Sequence, residues 1–305
     1  RHKQVPMNLK VGLIKLISGI IAIGSGFPLG PEGPSVQMGG SVAWQMAKWL
    51  RAPVAFRRVI VAAGGGAGIA AVFSAPLGGF VYAIEELLNS ARPVILLLVI
   101  VTTFIADSSA IVLQGGIDEP TYKIDFLFSH FDFIYLILLG AVIGIFAELY
   151  SKYILMMQNI GKKLYKNKFV LKMSICGFIL GSIYSILGDE FHNLDNLKKM
   201  IATQTNIDIS LAILTVFVLF ITSGLAAASG APGGLFYPML ILGGAIGLIL
   251  GSWSWIPSTA LSTYIFAGMG AFVAGCSRTP ITAMFLAFAL AKNLLIMKPV
   301  LIACI

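Results

Sequence analysis

Residues 24–40 read GSGFPLGPEGPSVQMGG and set a single carboxylate, Glu32, among six glycines and three prolines. An acid in that setting can cap a helix that begins at Gly33, or it can carry a proton where an anion would otherwise sit. Few other groups could do chemistry in the apolar part of the chain. Glu85 and Glu86 are adjacent, Asp107 stands alone, and Glu148 has Lys152 one helical turn on, a favourable pairing. Ser223-Gly224 and Ser229-Gly230 could suggest an intramembrane serine protease, but that chemistry needs a base, and His2, His130 and His192 fall in terminal or loop segments. Gly24-x-Gly26 lacks the strand and helix of a dinucleotide site. Cys176, Cys276 and Cys304 are scattered and odd in number, so neither a disulfide framework nor a metal knuckle is expected, and no cofactor is implied. The chemistry left is that of protons and ions.

The elements that must position these residues are membrane helices. The chain has 305 residues, 58% of them hydrophobic and only 11% charged, against about 25% charged in a soluble domain. Apolar runs at 93–113, 133–157, 169–187 and 209–227 are long enough to cross a hydrocarbon core of about 30 Å. Shorter pieces at 35–50, 59–73, 76–89, 235–251 and 264–276 predict broken or re-entrant helices, tolerated at membrane depth only inside protein or around a wet cavity. The net charge of +8 sits in short connecting segments such as 51–58 and 162–172. That pattern is the positive-inside rule rather than a nucleic-acid surface. Trp44, Trp49, Trp253 and Trp255 fall near helix ends, as interfacial anchors do.

Residues 228–244, ASGAPGGLFYPMLILGG, lie under residues 24–40 without a gap. Seven of the seventeen positions agree, including Ser25/Ser229, Gly30/Gly234, Pro34/Pro238 and Gly39/Gly243. The same offset of 204 lays 62–80 over 266–284, with Pro76 over Pro280. With the basic loops placed inside, the helix leading into the first copy rises and the helix leading into the second descends. The copies are therefore expected to be inverted in the membrane, 1–132 holding most of one repeat and 133–305 most of the other, within a single transmembrane domain. Inverted repeats with broken helices place a substrate at the membrane midplane.

In each copy a Gly-x-x-x-Pro step, 30–34 and 234–238, precedes a new helix. First-turn N–H groups have no partner within their helix, and each helix start carries about half a positive charge. Two such ends form an anion site without a full positive charge, from which a small anion can still leave. No Arg or Lys clamp suited to phosphate accompanies the motifs, which favours a halide. Ionised, Glu32 competes for the site; protonated, it releases it.

These motifs resemble the CLC family of chloride channels and chloride/proton antiporters. GPEGPSVQMGG is similar to the family's G(K/R)EGP motif, SGAPGGLFYP to GxFxP, and AAGGGAGIAAVFSAPLGGFVYAIEE to the stretch that ends in paired glutamates. The resemblance covers nearly the whole chain, in order. It implies an all-α, inverted-repeat membrane fold and a homodimer in a plasma or inner membrane, with chloride and protons as partners and no enzyme activity. It further implies that Glu32 is the gate and Glu86 the internal proton-transfer glutamate. The anion would be bound around Gly30, Pro31, Gly33, Gly234, Leu235, Phe236 and Tyr237. Glu86 favours exchange, because the family's channels usually carry another residue there; a passive voltage- or pH-gated chloride channel is the alternative. Pro31 replaces the usual basic residue and removes one N–H, while Ala289 and Lys292 stand where the family commonly has acids. Ser25 is expected to serve a helix terminus. The family's serine-bearing motif and its chloride-binding tyrosine are expected outside residues 1–305, and no soluble regulatory domain within them.

Overall fold

Proline sets where several helices begin, because its missing N–H costs nothing in a first turn. The computed structural model describes residues 8–89, 92–114, 132–164, 168–188, 191, 194–203, 208–252 and 261–305. His2, His130, His192, Trp253 and Trp255, singled out in the sequence, lie outside them. Among the described residues the structure is helical, with no strand beyond one isolated bridge.

The helices run α1 Leu9–Gly24, α2 Glu32–Trp49, α3 Val54–Phe73, α4 Pro76–Tyr82, α5 Pro93–Leu113, α6 Asp132–Leu164 and α7 Phe169–Leu187. They continue as α8 Leu194–Thr203, α9 Ile209–Ser229, α10 Phe236–Gly251, α11 Leu261–Ser277, α12 Pro280–Ala291 and α13 Met297–Cys304. Pro76, Pro93 and Pro280 each stand in a first turn. A π-helical turn, Ala83–Leu88, continues α4.

Among the described residues five helices are long and apolar enough to cross a membrane, one of them residues 56–73 of α3. The sequence had placed 59–73 with the shorter pieces. The difference arises at its start, where α3 begins directly after Pro53 and takes in Arg57 and Arg58. Both arginines are fixed locally, Arg57 donating to the Ala52 carbonyl at 3.0 Å and Arg58 to the Leu87 carbonyl at 3.4 Å. Arg57 and Lys48 also approach the face of Trp44, at 5.8 and 5.4 Å from its centroid. That grouping suits an interfacial helix end.

The chain forms two compact units, one of residues 1–21 and 31–120 and the other of 22–30 and 121–305. In the first, α3 packs against α2, α4 and α5. Its core gathers Val59, Ala62, Ala63, Ala83, Leu88 and Val99. In the second, α11 packs against α6, α8, α10, α12 and α13. Tyr150, fully buried on α6, meets Phe220 of α9 and Phe272 of α11 edge-on, at 5.4 and 5.5 Å. Such pairs contribute about 0.5–1.5 kcal/mol beyond their area. Tyr264 of α11 donates to the buried Asp132 at 2.9 Å, tying α11 to the start of α6.

The offset of 204 persists in the backbone. Gly26 and Gly230 both take positive φ, 91° and 75°. Ser74 and Arg278 end their helices at φ 47° and 59°, and Ala75 and Thr279 follow at −131°, 72° and −127°, 72°. A methyl added at Gly39 would overlap the carbonyl of Gly64, and one at Gly243 the carbonyl of Gly268. Each helix pair thus meets backbone to backbone, and no side chain fits at the crossing.

Candidate functional site

The glycine turn before each broken helix follows a helix C-terminus, where carbonyls lack partners. Ser25 supplies one at the end of α1, donating to the Ala22 carbonyl at 2.9 Å. Ser229 does the same for Ala226 at 2.6 Å and also accepts from the Ala231 N–H at 3.0 Å. The chain then extends, and Gly30 and Gly234 pair as a two-residue antiparallel bridge. Gly30 donates to Gly234 at 2.9 Å and Gly234 to Gly30 at 2.8 Å. Both glycines belong to the second unit, so the loops that open α2 and α10 are joined there by two hydrogen bonds. The sequence alignment placed these glycines over one another without implying that they touch.

Beyond the bridge the copies diverge. Pro31 precedes α2 in a helical conformation, φ −75° and ψ −11°, and is exposed. Glu32 opens α2 and is 2% exposed. Gly33 is half-buried in the same turn, and the Ser35 N–H and hydroxyl both bond back to the Pro31 carbonyl, at 3.0 and 2.9 Å. A buried acid at a helix start sits where the peptide dipoles favour negative charge. In the second copy Leu235 precedes α10 without a side-chain cap, and Phe236 stands where Glu32 does in the first.

The paired glutamates lie on the π-helical turn, Glu85 half-buried and Glu86 exposed. π-turns inside helices recur at functional sites. Tyr82, directly before this turn, stands within electrostatic reach of both Glu86 and Glu32. All three residues belong to the first unit. The sequence singled out the two glutamates but not this tyrosine.

A second cluster was also missed. Lys198 of α8, 6% exposed, donates to the Tyr237 hydroxyl at 2.7 Å and lies 4.6 Å from the centre of its ring. The Tyr237 hydroxyl in turn donates to Asp195, and Lys198 pairs with Asp195 at 3.4 Å. Burial pushes the Asp195 carboxyl up, but the Tyr237 hydroxyl, Lys198 and Lys199 outweigh it and hold it below the usual carboxylate range. The available signal was the apolar spacing of Leu197, Ile201 and Ala202, which are buried and mark an amphipathic helix.

Of the remaining candidates, Glu148 pairs with Lys152 at 3.1 Å on an exposed face. Asp107 is buried in α5, with Oδ1 making no hydrogen bond. Among the described residues no group of three His, Cys, Asp or Glu side chains is placed to hold a metal.

Broken apolar helices, duplicated glycine turns and a buried acid at one of them define an integral, multi-pass membrane protein built on broken-helix repeats. The sequence profile of the family described as voltage gated chloride channel matches residues 1–305, and the chain belongs to that family. It is 32% identical over 310 residues to the H(+)/Cl(-) exchange transporter ClcA of Vibrio parahaemolyticus, covering 96% of this chain and 64% of that one. The ClcA of Vibrio cholerae is 33% identical over 307 residues, covering 95% and 64%. The chain thus spans just under two thirds of these relatives' length. Among solved structures, a slow cyanobacterial Cl−/H+ antiporter superposes with a TM-score of 0.84 at 28% identity, covering 98% of this chain and 72% of that one. A eukaryotic CLC transporter shares the fold, with a TM-score of 0.76 at 23% identity over 98% of this chain and 53% of that one.

Proposed function

We propose that this chain belongs to a chloride/proton antiporter, with Glu32 as its gate and Glu86 as its inner proton acceptor. The observation that carries this reading is a buried carboxylate, Glu32, at the start of a broken helix, with Glu86 exposed on a π-turn of the same unit. The relatives' printed activity, H(+)/Cl(-) exchange, supports the same reading.

The anion is bound by backbone rather than by fixed side-chain charge. In the second unit Leu235, Phe236 and Tyr237 open α10 at its positive end, next to the Gly30–Gly234 bridge; in the first, Gly33 lies in the first turn of α2, at the positive end of that helix. Pro31 contributes no N–H. An ionised Glu32 competes with the anion; its protonation frees the site and ties anion movement to proton movement. The protein works as a homodimer in a plasma or inner membrane, each subunit with its own path.

Purified protein in liposomes tests the proposal. A chloride gradient should drive protons uphill, and Glu86→Ala should abolish the proton movement while chloride still flows. Chloride flux without proton movement in the unmutated protein would overturn antiport in favour of a passive channel.

A further inference from the structure

Lys162 near the end of α6 and Lys172 in the first turn of α7 line one cavity of about 200 Å³, beside the glycine turn that follows α9. Neither ammonium forms an ion pair with an acid among the described residues. Lys172 is half-buried and leans over the turn, its Nζ 3.1 Å from where a β-carbon on Gly230 would stand. Gln158, half-buried one helical turn before Lys162, adds an amide to the same wall. Cations do gather at helix C-termini, and α6 and α9 both end beside this cavity. The first copy shows that the glycine turn needs none. Gly26 follows α1 with the same positive φ, and its cavity is lined by Phe27, Gly177, Tyr184 and Ser185 without a charge. Two cations around one small space repel each other, and an anion shared between them is favourable.

The surroundings select the anion. Leu155, Met156 and Ile160 of α6 and Phe169, Val170 and Leu171 of α7 flank the two lysines in sequence and are exposed. Both helices are long and apolar enough to cross a membrane, and the basic segment 162–172 marks their cytoplasmic ends by the positive-inside rule. A basic cavity between membrane helices on that side, bordered by apolar helix faces, suits a phosphodiester whose acyl chains lie along those faces.

We propose that this cavity binds the phosphate of an anionic phospholipid of the cytoplasmic leaflet, with Lys162 and Lys172 as its charged contacts and Gln158 as a neutral donor. The two lysines come from helices far earlier in the chain than the turn, so the motif itself carries no phosphate clamp. Gly233 and Leu235 line the cavity as well, and the lipid therefore rests against the segment that opens α10.

The test is native mass spectrometry of the full chain in detergent, with phosphatidylglycerol set against phosphatidylcholine of the same acyl chains and inorganic phosphate as a third ligand. The unmutated protein should prefer phosphatidylglycerol about twentyfold, the effect of two lysines at a membrane surface. Lys162→Gln, at an exposed position, should lower that preference about fivefold, and Lys162→Gln with Lys172→Gln should abolish it. Lys172→Arg should keep it, since a guanidinium also pairs with phosphate. Lys163→Gln, next in sequence but outside the cavity wall, should leave it within about twofold. Equal losses in Lys162→Gln and Lys163→Gln overturn the proposal, because the attraction would then belong to the basic face as a whole. So does an unmutated protein with no preference between the two lipids. Inorganic phosphate retained by the unmutated protein and lost in Lys162→Gln, without a preference for phosphatidylglycerol, would assign the cavity to free phosphate and overturn the lipid source.

Discussion

Residues 24–40 with 62–80, and residues 228–244 with 266–284, are two copies of one backbone carrying different side chains. Both turn through a glycine of positive φ, both tie off the preceding helix with a serine, and both break after a left-handed residue at 74 or 278. Both bring two helices together at a glycine pair. The titratable groups are not copied. Glu32 stands over Phe236, Glu85 over Ala289 and Glu86 over Leu290. The π-turn that carries the glutamates corresponds to the end of α12, a regular α-helix. A cavity of about 250 Å³ beside the first glycine turn is neutral, lined by Ser25, Tyr184 and Ser185. One of about 200 Å³ beside the second has Lys162 and Lys172 in its wall. The glycine turns, serine ties and helix crossings are therefore common to both copies, while the carboxylates at 32, 85 and 86 belong to one.

Changes made in pairs can break or sharpen this contrast. The largest effect is expected for Glu32→Gln, which should cut coupled proton transport by about a hundredfold or more and flatten the pH dependence of chloride flux in liposomes. A pH dependence that survives intact would remove Glu32 from the gate. Next come the helix crossings. Gly64→Ala and Gly268→Ala should each destabilise by about 3 kcal/mol, read as matching losses in thermal midpoint, because the opposing atoms are backbone and cannot rotate away. A clear inequality between them would show that the copies are not equivalent as scaffold. Ser229→Ala should cost about 1 kcal/mol and Ser25→Ala less, since Ser229 both donates and accepts and is fully buried. The smallest effect concerns acid. Asp195 titrates below its ordinary range in the folded protein, so its contribution is complete above the unfolded value of about 3.9 and is lost as pH falls through the lower, folded value. Thermal midpoints of the unmutated protein and Asp195→Asn should converge only in that acidic range.

Much of this was legible in the residues. The four long apolar runs are helices, the repeat at offset 204 recurs in dihedral angles and in glycine contacts, and the prolines mark helix starts. Less legible was whatever depends on distant partners. Tyr237 read as a motif aromatic, yet its hydroxyl belongs to a lysine 39 positions earlier on a helix too short and polar to register as a span. Tyr82 gained its meaning from two acids at very different spacings, fifty and four residues away. The length of α3 was misjudged because arginines interrupt an apolar run, although long basic side chains can reach a membrane surface from within a helix.

The glycine crossings have a mechanical consequence. Where two backbones touch with no side chain between them, sliding one helix along the other drives carbonyl into carbonyl at once, and close-packed interiors do not deform gradually. The pairs α2 with α3 and α10 with α11 are in this sense welded. Any working cycle built on them must move side chains and loop ends around stiff hairpins, which leaves the rotation of a single carboxylate as the kind of motion this framework permits at least expense.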